Sequence, residues 1–222
     1  MSGLKIIIAG AGLGGLAAAS NLLKAGHDVT IYEQAPALGE IGAGIQLSAN
    51  AMHVLRNIGV AEEIESVGVR PGAYVFRLYD TGEEISRFNL ADEHERLNGA
   101  PYVQVHRADL HDILARKALE LKPDLVRLSH RAVACEETEA GATLRFADGS
   151  SATGDLLVGA DGVKSIVRQK VAGDVPATYT GDGAWRLTIP AEKLPPEFMG
   201  KVMSVWMGPG AHAVCYYLRN GK

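Results

Sequence analysis

Cysteine is scarce in this chain. The 222 residues hold only Cys135 and Cys215, 80 positions apart. That spacing is neither a CxxC redox pair nor part of a metal-ligand cluster, and it fits two buried thiols in a reducing, cytoplasmic compartment. The seven histidines show no HExxH or paired spacing, so no metal site is expected. Basic runs are missing too, and a net charge of −4 with a pI near 6.0 gives no reason to expect nucleic acid as a partner. Long apolar spans are absent. The apolar start, Met1 to Ala19, is broken by four glycines within six residues, so it reads as a strand, a turn and a helix start rather than a targeting or membrane segment. There is no internal repeat and no low-complexity linker. What remains is 47% hydrophobic and 22% charged, globular material with ample core.

Leu4 to Ala9 is a continuous apolar run ending in glycines, the pattern of a buried parallel strand. Leu13 to Leu23 reads as a helix stopped near Gly26, and Val29 to Tyr32 as a second strand; the three fit the ~30 residues of a βαβ unit. A glycine-rich loop over Gly39 to Gly44 follows, then a helix from about Asn50 to Ile58 with Gly59 just beyond it. Tyr74 to Tyr79 and Ile85 to Phe88, joined by Asp80-Thr81-Gly82, predict a β-hairpin. Arg107 to Leu121 places Leu110, Ile113, Leu114, Ala118 and Leu121 at helical spacing. Ala142 to Ala147 with Asp148-Gly149 predicts another hairpin, and Asp155 to Val158 a short strand running into Gly159-Ala160-Asp161-Gly162. After Pro176 the sequence reads as β-rich to its end. The α/β and β pieces alternate, so two interleaved layers are expected.

Gly10-Ala11-Gly12-Leu13-Gly14-Gly15 contains GxGxxG at positions 10, 12 and 15. With 26 glycines in the chain, chance alone produces that pattern in about one such sequence in three, so the motif by itself is weak. Other GxG pairs at Gly42, Gly181 and Gly208 lack the third glycine. Context distinguishes the first match, because it follows an apolar strand and opens a helix. Gly10 then permits the tight turn, Gly12 lets backbone approach a pyrophosphate, and Gly15 lets the helix pack closely on the strand. The pyrophosphate would sit at the helix N-terminus. Glu33, 21 positions after Gly12, ends the second strand, where a carboxylate accepts ribose hydroxyls and repels a 2′-phosphate. The βαβ unit alone does not separate FAD from NAD. A simple dehydrogenase would continue with a third parallel strand and helix, whereas here Gly42-Ala43-Gly44-Ile45 and a hairpin intervene.

Four stretches together resemble the single-component FAD-dependent aromatic hydroxylases, the flavoprotein monooxygenase family that includes p-hydroxybenzoate and salicylate hydroxylases. They are the glycine turn with Glu33-Gln34; His106-Arg107-Ala108-Asp109-Leu110; Gly159-Ala160-Asp161-Gly162 with Ser165 and Arg168; and Tyr179-Thr180-Gly181 with Trp185-Arg186 and Gly208-Pro209-Gly210-Ala211-His212. The last group is most similar to the salicylate-hydroxylase branch. Gln34 departs from many relatives, which carry arginine there. The family's second flavin motif, a Gly-Asp pair after another apolar strand, has no counterpart, since Gly173-Asp174 and Gly181-Asp182 lack the strand. The resemblance therefore implies an N-terminal portion of a longer enzyme.

The implied fold is α/β, a Rossmann-like FAD-binding βαβ domain interleaved with a truncated β-rich substrate domain. Its expected parts are 1–72 and 101–175 for the FAD-binding domain, 73–100 for a substrate-domain hairpin, and 176–222 for the start of the substrate-domain sheet. The implied cofactor is FAD, held by Gly10, Gly12, Leu13, Gly14, Gly15, Glu33, Gln34, Ile45, Arg107 and Asp161, with Arg107 reaching the pyrophosphate region. NADH or NADPH is the transient co-substrate. It would reduce the flavin, after which O2 forms a C4a-hydroperoxide whose distal oxygen passes to an electron-rich ring. The expected substrate is a small phenolic or hydroxy-heteroaromatic carboxylate, salicylate-like compounds first. His212 is the candidate base, because imidazoles titrate near neutrality, and Arg186 or Arg219 the candidate carboxylate partner. The other implied partners are O2 and a second copy in a homodimer, with no membrane. The alternatives are an epoxidase- or reductase-like flavoenzyme with the same opening, and a non-catalytic FAD-binding module.

Overall fold

The structure is a computed structural model that describes residues 3–39, 42–139, 141–173, 175–195, 198 and 200–221. Glu40 and Ile41 of the expected glycine loop, and Asp174 of the Gly173-Asp174 pair, lie outside the described residues. In chain order the elements begin with β1 (Lys5–Ala9), α1 (Leu13–Lys24), β2 (Asp28–Tyr32), β3 (Gly44–Leu47), α2 (Ala49–Ile58) and α3 (Ala61–Val67). There follow β4 (Ala73–Leu78), β5 (Glu84–Asn89), α4 (Asp92–Asn98), β6 (Val103–His106) and α5 (Arg107–Leu121). The rest are β7 (Val126–Arg127), β8 (Ala132–Thr138), β9 (Gly141–Phe146), β10 (Ser151–Gly154), β11 (Leu156–Gly159), α6 (Ile166–Ala172), β12 (Met203–Gly208) and β13 (Ala211–Cys215). They form two compact units, each assembled from separated stretches: Met1–Glu40 with His111–Trp185, and Ile41–Leu110 with Arg186–Lys222. The chain is thus α/β with its parts interleaved, as the alternation of patterns predicts.

The first unit is built around β1. Ile6, Ile7 and Ile8 are almost wholly buried because β1 is an inner strand, parallel to β11 on one side and β2 on the other. The sheet order is β11-β1-β2-β7. An inner parallel strand covered on both faces needs a continuous apolar run, which Lys5 to Ala9 supplies after its first residue. The antiparallel sheet β10-β9-β8 provides one cover. Ile7 and Ala9 leave the same face of β1, Leu144 and Phe146 the same face of β9, and with Val167 of α6 they form one cluster.

In the second unit the sheet order is β13-β12-β4-β5. The β4–β5 hairpin forms as its turn predicts, and β12 joins β4 in parallel, with Val205 opposite Phe76. β3 and β6 make a separate antiparallel pair. Helix α2 ends where Gly59 adopts a left-handed φ of 92°, the cap expected of that glycine. The expectation of β structure from Pro176 onward needs correction. Among the described residues between 177 and 202 there is no strand, only a 3₁₀ turn at Ala191–Lys193. Gly181, Gly183, Pro190 and Pro195 punctuate that stretch, and the run between Gly183 and Pro190 pairs with no strand among the described residues.

Leu144→Ala tests the packing of the two sheets. The side chain is fully buried, so the variant is expected to lose about 2–5 kcal/mol of stability in urea unfolding. A loss below about 1 kcal/mol would contradict that packing.

Candidate functional site

Gly10 follows β1 directly and turns the chain with a φ of 99°, a conformation that side chains resist. A Cβ on Gly10 would collide with the Ala160 carbonyl, and one on Gly15 with the Gly10 carbonyl. These two glycines are there for packing. Gly12 and Gly14 are different, since a Cβ at either would meet nothing within 4 Å. Gly12 is the N-cap of α1 and supplies no side-chain cap. The N–H groups of Leu13, Gly14 and Gly15 therefore have no intrahelical acceptor, and the helix dipole adds partial positive charge there. Open space beside uncapped donors is what an approaching phosphate needs.

Glu33 is already at work in the turn. Its Oε2 accepts the Ala11 N–H at 2.7 Å and its Oε1 the Ala35 N–H at 2.8 Å. A carboxylate has about four lone-pair sites, so acceptor capacity remains for a ribose hydroxyl. Gln34 beside it is exposed. On the other side of Ala11, the Nε2 of His111 lies 2.9 Å from the Ala11 carbonyl. His111 is 2% exposed and comes from α5. A lone histidine on an apolar helix face carries no motif, so nothing in the sequence points to it.

Asp161 caps α6. Its Oδ2 accepts the Ile166 N–H at 2.8 Å, its Oδ1 accepts the Ser165 hydroxyl, and Ser165 in turn accepts the Arg168 N–H at 2.9 Å. The Gly159–Gly162 segment is thereby fixed beside Gly10 and Gly15, whose nearest neighbours include Ala160.

Ile45, Arg107 and His212 belong to the second unit. Ile45 lies on β3 opposite Val105. Arg107 opens α5; its N–H bonds Ala43 O at 3.0 Å and its aliphatic stem packs on Gly42. His212 is exposed on β13 opposite Met207. With Tyr79, Trp206 and Pro209 it lines an open depression of about 740 Å³. Arg219 is committed to Asp109 by two bonds of 2.9 and 2.7 Å. That pairing holds the Asp109 carboxyl below the ordinary carboxylate value. Tyr216, also missed from sequence, covers Gly44 so closely that a Cβ there would strike its ring. Burial pushes its phenol up, against the Arg186 charge and a hydrogen bond with Gln46.

Residues 3–212 match the family model described as FAD binding domain. The chain is 40% identical to 3-hydroxybenzoate 6-hydroxylase 1 of Aquipseudomonas alcaligenes, over 98% of this chain and 55% of that protein. It is 38% identical to 3-amino-4-hydroxybenzoate 2-monooxygenase of Streptomyces cremeus, over 99% of this chain and 55% of that protein. Among solved structures it is similar to Klebsiella pneumoniae HpxO complexed with FAD and uric acid. There the TM-score is 0.79 and the identity 30%, covering 100% of this chain and 55% of that one. The chain thus spans about half the length of the curated relatives it matches.

The glycines separate into two classes that mutation distinguishes. Gly15→Ala is expected to lose at least about 2 kcal/mol of stability in urea unfolding, since the methyl meets backbone. Gly12→Ala is expected to unfold like the parent yet bind ADP about tenfold more weakly, a loss of about 1.4 kcal/mol, by titration calorimetry. Equal stability losses in the two variants would contradict the division.

Proposed function

Since the chain belongs to the FAD binding domain family, we propose that it forms the FAD-holding part of an enzyme that hydroxylates a small hydroxy-aromatic carboxylate. The observation that carries this reading is the turn itself: uncapped N–H groups at α1, open space at Gly12 and Gly14, and a carboxylate at Glu33 with acceptor sites to spare. Bound FAD would supply electron transfer and oxygen activation. The Gly12, Leu13, Gly14 and Gly15 N–H groups hold the pyrophosphate, and Glu33 receives the ribose. Ile45, Arg107 and Gln34 are further cofactor contacts on the strength of the family resemblance. Asp161 contributes by fixing the segment packed on Gly10.

The overall reaction takes O2, a nicotinamide hydride with a proton, and either an aromatic C–H or a carboxyl-bearing ring carbon that gives up CO2. One oxygen atom enters the ring and the other leaves as water, while NADH or NADPH is oxidised. His212 accepts the substrate hydroxyl proton. Arg186 serves the carboxylate, because Arg219 is already held by Asp109. The relatives support this substrate class: their names specify hydroxybenzoates and, at 34% identity, a 6-hydroxynicotinate 3-monooxygenase of Bordetella bronchiseptica covering 96% of this chain and 55% of that protein.

Two measurements on the full-length protein test this reading. Glu33→Ala and Arg107→Ala are each expected to weaken FAD retention by about 1.5–3 kcal/mol, one to two orders of magnitude, in a flavin fluorescence titration. Unchanged affinity in both would remove these roles. A panel of hydroxybenzoates and hydroxynicotinates is expected to stimulate NADH or NADPH oxidation, with one oxygen atom gained by mass spectrometry. Oxygen transfer to a non-aromatic alkene instead would favour the epoxidase-like alternative.

A further inference from the structure

We infer that His111 is a positioning residue for the phosphate-binding turn, setting which way the Ala11–Gly12 peptide faces. The inference rests on the proposed FAD role and deepens it. Ala11 is the non-glycine residue between Gly10 and Gly12, and its peptide groups are held from two sides. Glu33 accepts its N–H at 2.7 Å, and His111 Nε2 lies 2.9 Å from its carbonyl oxygen. A carbonyl only accepts, so Nε2 carries the proton. The other ring nitrogen, Nδ1, is buried with no partner among the described residues.

The consequence falls on Gly12. In a trans peptide the carbonyl and the following N–H point in opposite directions. With the Ala11 carbonyl drawn towards His111, the Gly12 N–H is turned away from it and presented as a donor beside those of the first α1 turn. A peptide that precedes glycine flips readily, because glycine tolerates both signs of φ. Flipped, the same unit would present a carbonyl oxygen where a phosphate oxygen must come, and repel it. His111 opposes that flip from a helix whose neighbours Leu110, Ile113, Leu114 and Ala115 are all buried, so the donor is rigidly placed.

The test pairs His111→Met with His111→Gln. The two side chains have nearly the same size, and only glutamine keeps a donor near the Nε2 position. FAD, ADP and adenosine are titrated against the full-length protein by calorimetry, with thermal unfolding measured in parallel. The methionine variant is expected to lose about five- to tenfold in affinity for FAD and ADP. Glutamine is expected to recover most of that loss, and adenosine, which has no phosphate, to bind all three proteins alike. If the methionine variant does not fold, His111→Asn replaces it, since its amide reaches the Nδ1 position and not Nε2. Parent-like FAD affinity without the donor, or an equal loss for adenosine and ADP, overturns the inference and leaves the FAD reading intact. A parent protein that binds adenosine or ADP but not FAD overturns the FAD reading, and the inference with it.

Discussion

The Gly10 carbonyl oxygen leaves no room beside it. A side chain at position 15 would collide with it, and a side chain at position 10 would collide with the Ala160 carbonyl. Three backbone segments therefore meet without side chains between them: the end of β1, the first turn of α1 and the end of β11. The parallel sheet follows from that meeting, because β1 carries β11 along one edge and β2 along the other. So does the position of the α1 N-terminus over the end of β1, which is where unpaired helix donors become useful to an anion. One steric constraint thus serves both fold and site.

Close approach alone would leave the turn free to rotate its peptides. The polar partners of Ala11 remove that freedom, and both come from later in the chain. Glu33 stands just after β2, 22 residues on, and His111 on α5, 100 residues on. Neither bond is strong by itself, at about 1 kcal/mol for a neutral pair and somewhat more for the carboxylate. Their effect is directional. Together they fix the two peptide planes that flank Ala11, each shared with a glycine, where intrinsic backbone preference is weakest.

Local signals carried most of the reading from sequence. The β1–turn–α1 unit, the β4–β5 hairpin, the α5 spacing and the Gly59 cap are each written in contiguous residues, so periodicity and turn chemistry are enough to find them. The β3–β6 pair and the parallel junction of β12 with β4 escaped, because a short strand does not name its distant partner. The stretch before β12 differs for a related reason: Trp185, Leu187 and Ile189 lie in one run between Gly183 and Pro190, but that run finds no partner strand among the described residues and these side chains stay exposed. His111 and Tyr216 escaped because their significance lies in what tertiary packing brings to them, a carbonyl in one case and Gly44 in the other.

Several charged residues first read as ligand contacts have structural partners of their own. Asp161 spends its oxygens on α6, and Arg219 spends its guanidinium on Asp109. Glu33 combines the two kinds of work, holding Ala11 and Ala35 while keeping acceptor sites in reserve. A residue of this kind cannot be assigned to structure or to binding by deletion alone, because truncation removes both at once. The separation has to come from ligands that lack one part of the cofactor. A contact that acts through the turn changes the response to phosphate, and a contact made to ribose changes the response to adenosine. The same division would distinguish His111, whose Nε2 meets the Ala11 carbonyl, from Glu33, which holds the turn and is proposed to receive the ribose as well.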